Sequence, residues 1–507
     1  MLNTAVPERV ALIIPPSGFL LDDRVFMTLG ILRVAAVLER AGVTVEVLDL
    51  SGISNYTHAV EDFVRSSDST LFGLTATTPQ LPPAVNIATA IKALRPDAKV
   101  ILGGPHVTLC HAAYKKELKR NVANGRGAAA MAQLQEHFDV LVAGDGEEAI
   151  FIATQPDAPK VVDADDPKSS LFLTDQMLEG LPWPARHLVD IESYRYQIEG
   201  APALSLIAQL GCPFGCGFCG GRESSMLRRI RMRSSENIVQ EMVHLWRTTG
   251  KTGFMFYDDE LNVNKNVVEL MERIARTQRD LGVQWKLRGF VKSELFTHEQ
   301  AEVMYEAGFR WLLVGFESGA ERILTNINKK ASREDNSACM SIARKAGLKV
   351  KALMSIGHPG ETGETIEETR RWLLDVAPAD FDTTVITCYP GTPYYDQATR
   401  HPSLEGVWTY TFPRTGDTLH QVEIDYTRVA DYYKGDPDGG YRAYVFTDTL
   451  SQDDLVAKRD YVERSVRSAL NIPFNPGAPA KLYEHSMGQG ALPPHILRRS
   501  AATAPST

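Results

Sequence analysis

Three cysteines fall within eight residues, in Gly211-Cys-Pro-Phe-Gly-Cys-Gly-Phe-Cys-Gly220. A deprotonated thiol is a soft metal ligand, and Cys212, Cys216 and Cys219 stand at spacings that let them wrap one compact metal centre. A closed zinc site wants a fourth Cys or His close by. The nearest histidines in sequence are His187 and His244. Three thiolates suit instead a four-iron, four-sulfur cluster that leaves one iron without a protein ligand. That open iron can chelate the amino and carboxylate groups of a small molecule. Gly215, Gly217 and Gly220 let the backbone bend tightly round such a cluster. Cys110, Cys339 and Cys388 stand alone and suit buried, inert positions. Six cysteines in 507 residues are too few for a disulfide scaffold.

The cysteine segment directly follows a strand-like run, Leu204–Ala208. Further strand patterns read Gly253–Tyr257, Gln284–Gly289, Trp311–Phe316, Val350–Ile356 and Thr383–Cys388. Amphipathic helical segments separate them, among them Ile238–Trp246, Val267–Leu281 and Ile366–Leu374. Six βα units predict a partial (βα)6 barrel of the TIM type, with its chemistry at the carboxyl ends of the strands. Tyr257-Asp258-Asp259-Glu260 ends the second strand and Arg288 the third. Gly315-Phe-Glu317-Ser318-Gly319 ends the fourth and Gly357-His-Pro-Gly-Glu-Thr362 the fifth, and Pro390-Gly-Thr-Pro393 follows the sixth. The Asp258-Asp259 pair also suits a surface turn.

The first ~150 residues carry their own alternation of strand and helix. Val10–Ile14, Val43–Asp49, Leu71–Thr75, Lys99–Gly103 and Phe138–Gly144 read as strands of a doubly wound, Rossmann-like parallel sheet. Turn residues gather at their carboxyl ends: Pro15-Pro16-Ser17-Gly18, Thr75-Ala-Thr77-Thr78-Pro-Gln80, Gly103-Gly104-Pro-His106-Val-Thr108 and Gly144-Asp145-Gly146-Glu147. One such turn is ordinary; four on one rim suggest a large ligand lying across the edge. No Gly-x-Gly-x-x-Gly follows the first strand, so a dinucleotide is not favoured. Residues 111–137 read as an inserted helix and loop. The chain thus divides into 1–153, a linker and connector at 154–200, the barrel at 201–400, and an α-rich extension at 401–507. That extension holds a charged helix over Leu455–Leu470, is expected to cap the active site, and ends in a disordered tail.

Cys212-x-x-x-Cys216-x-aromatic-Cys219 after a strand, with Phe218 in the aromatic place, resembles the radical S-adenosylmethionine (SAM) superfamily. The resemblance implies that the three cysteines hold a [4Fe–4S] cluster and that SAM binds its open iron. Reduction then cleaves SAM to methionine and a 5′-deoxyadenosyl radical. It further implies SAM contacts at Phe218, Asp258, Asp259, Glu317 and Ser318, with Arg288 neutralising the SAM carboxylate. The N-terminal domain is similar to the cobalamin-binding domain joined to many radical SAM enzymes. Pro16, Ser17, Thr77, Thr78, Gln80, Gly103, Gly104, His106, Thr108, Gly144, Gly146 and Glu147 fall on its cobalamin rim. The Asp-x-His-x-x-Gly motif that supplies a histidine to cobalt in other B12 enzymes is absent. Asn55-Tyr-Thr-His58-Ala-Val-Glu61 comes nearest and lacks both the Asp and the Gly. No histidine is therefore expected on cobalt, and His106 reads as a nucleotide-loop contact or a plain turn histidine.

Together the two domains imply a cobalamin-dependent methyltransferase acting on an unreactive carbon, or more rarely on phosphorus, of a small-molecule substrate. A carbon without an acidic proton cannot attack the methyl sulfonium of SAM, so the cofactors must carry that chemistry. One SAM would methylate cobalamin and a second would give the radical. Tyr389, after the sixth strand, is a candidate lining residue and equally a packed core tyrosine. A cyclase or rearrangement enzyme with the same cofactors is the alternative. A methylthiotransferase would carry a second three-cysteine cluster in the N-terminal domain, where only Cys110 stands. A non-catalytic sensor would not need Glu317 and Arg288. Lys+Arg 54 against Asp+Glu 63 gives a net charge of −9, a poor basis for nucleic-acid binding. No apolar run approaches ~18–20 residues, so no membrane span is expected. The N-terminus reads as a first strand, not a signal peptide, which makes the cytoplasm the default. An electron donor such as a flavodoxin or ferredoxin is the expected partner.

Overall fold

The structure is a computed structural model that describes residues 6–17, 24–221, 223–432, 442–473 and 498–500. Gly18, most of the Tyr432–Tyr444 segment and most of the expected disordered tail lie outside the described residues.

The N-terminal sheet comprises β1 (Arg9–Ile14), β2 (Thr44–Asp49), β3 (Leu71–Thr75), β4 (Lys99–Gly103), β5 (Val140–Gly144) and β6 (Val161–Ala164), all parallel, in the order β2-β1-β3-β4-β5-β6. Val10 to Ile14 are essentially unexposed, as a strand covered by helices on both faces requires. The strand order turns back between β1 and β3, which opens a crevice outside their carboxyl ends. β6 falls inside the stretch 154–170 read as linker; it is four residues long and pairs only with β5. The expected insertion is two helices, α4 (Pro105–Lys119) and α5 (Arg126–His137), which follow α1 (Leu29–Arg40), α2 (Tyr56–Ser66) and α3 (Leu81–Leu94).

The second sheet holds β7 (Ala201–Leu206), β8 (Gly253–Phe256), β9 (Lys286–Phe290), β10 (Phe309–Glu317), β11 (Lys349–Ile356) and β12 (Asp380–Val385). They are parallel and lie in chain order, so the partial (βα)6 barrel stands as expected. The C-terminal region has its long helix, Gln452–Leu470, packed on β12. Glu463 on that helix accepts a hydrogen bond from the Thr383 backbone N–H at 2.5 Å. Four short antiparallel strands, Thr399–Arg400, Val407–Thr411, Thr418–Val422 and Val445–Phe446, accompany the helix.

Part of the tail is ordered. Arg498–Arg499 adds an antiparallel strand to the free edge of β2, and Ser500 N–H donates to the Val45 carbonyl at 2.8 Å. Glu46 gives the physical reason. Its carboxylate is fully buried and takes Arg499 Nε at 2.9 Å.

Candidate active site between the two domains

The cysteine loop is pinned to the barrel by its backbone. Cys212 N–H donates to the Leu227 carbonyl at 3.0 Å and Gly217 N–H to the Ile327 carbonyl at 2.7 Å. The Gly217 carbonyl in turn accepts from Tyr394 N–H at 3.0 Å, and Asn328 Nδ2 donates to the Gly215 carbonyl at 3.1 Å. Glycine is required at two points. A Cβ on Gly217 would stand 2.2 Å from the Tyr394 ring, and one on Gly211, at φ +87°, 2.2 Å from the Arg229 carbonyl oxygen. Cys212 and Cys216 are buried and Cys219 is half-buried. Among the described residues no three His, Cys, Asp or Glu gather closely enough to share a single metal ion. Three thiols spread over one tight loop instead match a cluster, in which each thiolate holds a different iron. The donor set therefore fits the cluster.

Beside this loop, the carboxyl ends of the strands hold a buried charged network. Glu317 ends β10 after a bulge and sits at φ +66°, a conformation uncommon for a non-glycine residue. Its Oε2 accepts from Ser355 Oγ at 2.7 Å, and its Oε1 lies 3.4 Å from Lys329 Nζ. Lys329 is 4% exposed. Burial opposes its charge, but Glu317, Cys216, Glu260 and Glu294 outweigh that and hold its proton more firmly than usual. Lys292 donates to the Lys329 carbonyl at 3.1 Å, pairs with Glu294 at 2.7 Å and lies 4.2 Å from the Phe214 ring centroid. Glu260 Oε2 is buried without a hydrogen-bond partner. Burial pushes the Glu260 carboxyl up to about 7, against the pull of Lys329 and Lys292. The network sets a buried ammonium against carboxylates, charges of the two kinds that a zwitterionic amino-acid head carries.

Not every residue expected here joins this network. Phe218 lies beside it, half-buried, with its ring 5.3 Å from that of His358, and Asp259 is exposed. Asp258 is buried and spends its carboxylate on the backbone N–H groups of Ala208 and Gln209, which lead into the cysteine loop. Ser318 is 1% exposed. Its Oγ bonds Thr369 Oγ1 and Ala320 N–H, because the turn at Glu317 throws the next side chain away from the mouth. Arg288 lies short of the strand end. It is the third residue of β9 and pairs in register with Trp311, six positions ahead of Glu317 on β10. By strand rise it is about 7 Å from the end of its own strand. There it donates to the Tyr196 hydroxyl at 3.1 Å. Sequence reading missed Glu260, Lys292, Lys329, Ser355, His358 and Tyr394 as site residues. His358 and Glu260 stood inside quoted strand-end segments, whereas Lys329 follows a helix and carried no pattern.

The cobalamin rim divides in the same way. Gly103 and Gly104 are half-buried, Thr77 and Pro105 are exposed, and all lie around the β1/β3 crevice. Gln80 joins two of the loops, accepting from Thr77 N–H at 3.0 Å and donating to the Pro15 carbonyl at 2.9 Å. Pro16 is buried and Ser17 half-buried. A Cβ on Gly104, at φ +95°, would lie 2.5 Å from Thr75 Oγ1. This part of the rim fits a large ligand set across the switch point. Thr78 and His106 turn inward, with His106 Nδ1 3.0 Å from Thr78 Oγ1 and Nε2 3.4 Å from Cys110 Sγ. Thr108 Oγ1 accepts from Gly144 N–H at 3.0 Å. The Gly144–Glu147 loop is committed to packing. Asp145 pairs with Arg231 of the barrel domain at 2.5 Å, Glu147 with Arg33 at 3.5 Å, and Gly146 abuts Val34. Gly144, Gly146, Glu147 and Thr108 thus also take part in the turn and its packing.

The two sites face each other. Leu109 of α4, three residues past His106, packs against the backbone of Gly220 in the cysteine loop and of Gly391 after β12. Lys116, further along α4, reaches Glu223 at 2.6 Å. Tyr389 is half-buried among Tyr426 and Tyr432, with ring centroids 6.0 and 5.8 Å away, and Tyr426 also meets His106 at 6.1 Å. Cys110, Cys339 and Cys388 are buried, as expected of structural thiols.

Comparison with known proteins agrees with this architecture. The profile of the radical SAM superfamily matches residues 206–373, and that of the B12 binding domain matches residues 24–135. The chain is 28% identical over 399 residues to the uncharacterized methyltransferase PH0819 of Pyrococcus horikoshii, covering 77% of this chain and 83% of that one. It is 26% identical over 371 residues to the anaerobic magnesium-protoporphyrin IX monomethyl ester cyclase of Rubrivivax gelatinosus, covering 69% of this chain and 62% of the cyclase. In fold it resembles the radical S-adenosylmethionine methyltransferase TsrM of Kitasatospora setae, with a TM-score of 0.66, 18% identity, and coverage of 90% of this chain and 91% of TsrM. No helix among the described residues is long and apolar enough to cross a membrane. With a B12-binding sheet set against a three-cysteine barrel, this chain belongs to the cobalamin-dependent members of the radical SAM superfamily.

Proposed function

We propose that the chain moves a methyl group from SAM, with cobalamin as carrier, to an unactivated carbon or a phosphorus of a small-molecule substrate. One observation carries this reading: α4, which leaves the cobalamin rim, packs through Leu109 directly on the cysteine loop. A substrate between the domains would therefore meet both cofactors. When bound, the cluster and SAM supply a hydrogen-abstracting radical and cobalamin supplies the methyl group. The protein binds and orients. Cys212, Cys216 and Cys219 hold the cluster. Lys329 neutralises the SAM carboxylate, Glu317 receives its ammonium, and Phe218 packs beside them. Ser17, Thr77, Gln80, Gly103 and Gly104 hold cobalamin at the crevice. Tyr389, Tyr426 and Tyr432 keep water from the space between the domains. A one-electron carrier such as a flavodoxin or ferredoxin supplies the reducing electron.

The test is product stoichiometry with methyl-labelled SAM. S-adenosylhomocysteine and 5′-deoxyadenosine should rise in a ratio near one to one with labelled product. The cyclase relative motivates one other reading, a ring closure with the same cofactors. That reaction would give 5′-deoxyadenosine with no S-adenosylhomocysteine and an unlabelled product, and would overturn methyl transfer.

A further inference from the structure

We infer that His358 is a positioning residue that ties the SAM-binding carboxylate of Glu317 to the cysteine loop, through Ser355 on one side and Tyr394 on the other. The inference rests on the reading of Glu317 as a SAM contact.

The chain of contacts is continuous. Ser355 Oγ donates to Glu317 Oε2 at 2.7 Å and lies 2.8 Å from His358 Nε2. The Tyr394 hydroxyl is 3.5 Å from His358 Nδ1 and equally far from the Asn326 carbonyl oxygen. Tyr394 N–H donates to the Gly217 carbonyl, and the Tyr394 ring fills the space a Gly217 side chain would occupy. Proton counting fixes the direction. A serine hydroxyl has one proton, and Glu317 takes it. His358 must then present Nε2–H to Ser355, which leaves Nδ1 bare and facing the Tyr394 hydroxyl, whose single proton lies between Nδ1 and the Asn326 carbonyl. That is the neutral imidazole, and burial together with Lys329 keeps His358 neutral. His358 and Tyr394 have no exposed surface and Ser355 is 4% exposed, so water does not compete for these contacts.

Glu317 needs such a hold. A non-glycine residue at φ +66° persists only where its surroundings fix it. Lys329 grips one oxygen and the Ser355–His358 pair the other. The far end of the same chain grips the loop that carries Cys216 and Cys219. Occupation of Glu317 and the geometry of the cysteine loop are thereby mechanically coupled.

The experiment uses the full chain with its cluster reconstituted anaerobically. It measures iron content, SAM affinity by equilibrium dialysis, and the change that SAM produces in the EPR spectrum of the reduced cluster. Ser355→Ala removes one oxygen and His358→Phe keeps the ring volume; both should retain cluster iron, bind SAM about tenfold more weakly and lose most of the spectral change. His358→Gln, which can still meet Ser355, should recover affinity to within about twofold of wild type. Wild-type affinity and spectral change in Ser355→Ala and His358→Phe, beside weakened binding in Glu317→Gln, would overturn the coupling alone. A Glu317→Gln protein that binds SAM normally would overturn the reading beneath it. His358→Gln behaving as His358→Phe would reduce His358 to packing and sink the proposal.

Discussion

Arg126, the first residue of α5 in the cobalamin domain, lies with its guanidinium carbon 3.5 Å from the ring centroid of Tyr395, which follows the barrel. Trp408 closes over it at 4.5 Å, and Gln421 accepts its NH1 at 3.0 Å. One cation thus joins all three parts of the chain. A desolvated cation–π contact contributes ~2 kcal/mol, and the stacked, planar guanidinium is not replaced by an ammonium. Arg126→Leu and Arg126→Lys should both speed hydrogen exchange at residues 393–396 and 407–411 at least tenfold. Unchanged protection there would show that the aromatic cage is incidental.

The cysteine assignment has a direct test. Replacing Cys212, Cys216 and Cys219 together by Ala removes every soft ligand from the loop but leaves its backbone anchors, Gly217 to Ile327 and Asn328 to Gly215. The variant should fold and show almost no iron or sulfide after anaerobic reconstitution. Replacing the buried Cys339 and Cys388 by Ser should leave the iron content at the wild-type level.

His106 has both ring nitrogens engaged, by Thr78 and by Cys110. It is buried between Thr78 and Cys110. Cobalamin bound to the chain should therefore show a Co(II) EPR spectrum without nitrogen hyperfine splitting from a histidine. His106→Gln should leave that spectrum unaltered even where cobalamin affinity falls. A nitrogen pattern present in the wild type and lost in the variant would place His106 on cobalt.

The same histidine makes a prediction about acid. Burial lowers its pKa from 6.5 to about 4. As pH falls below 6.5 the unfolded chain takes up this proton and the folded chain does not, so stability is lost between about pH 6.5 and 4 and not above. His106→Gln removes this term while the opposing buried acids, such as Glu361 and Asp396, are untouched. The stability of wild type minus variant should be flat above pH 7 and decline by up to about 3 kcal/mol by pH 4. A difference that stays flat to pH 4 would mean that His106 protonates freely in the fold.

Much of the architecture was legible because its signals are local. A strand buried on both faces is an apolar run, and the run before Cys212 announced the barrel. Strand ends were less legible, and the site suffered for it. Gly289 and Phe290 extend β9 past Arg288, so a residue read at the strand end lies two positions inside it. The bulge before Glu317 reverses the facing of Ser318, and no side-chain period encodes a bulge. Lys329, Glu260 and His358 come together only through tertiary contacts between two strand ends and the loop after a helix. The edge strand at Arg498–Arg499 joins Glu46 across more than 450 residues, a pairing that periodicity does not register.

The last prediction sets the two candidate cations against each other. SAM presents a carboxylate that needs a cationic partner beside the cysteine loop. Lys329 is buried there, 3.4 Å from Glu317 and within electrostatic reach of Cys216. Arg288 is bonded to Tyr196, and its register partner Trp311 stands six positions ahead of Glu317. Lys329→Gln is close in size and keeps a hydrogen-bond donor but removes the charge. It should weaken SAM binding at least tenfold with cluster iron retained, because a buried carboxylate left without its cation loses ~2 kcal/mol or more. Arg288→Gln should leave SAM affinity within about twofold of wild type. Equilibrium dialysis of both variants decides the matter. Strong loss in Arg288→Gln with normal binding in Lys329→Gln would reverse the assignment.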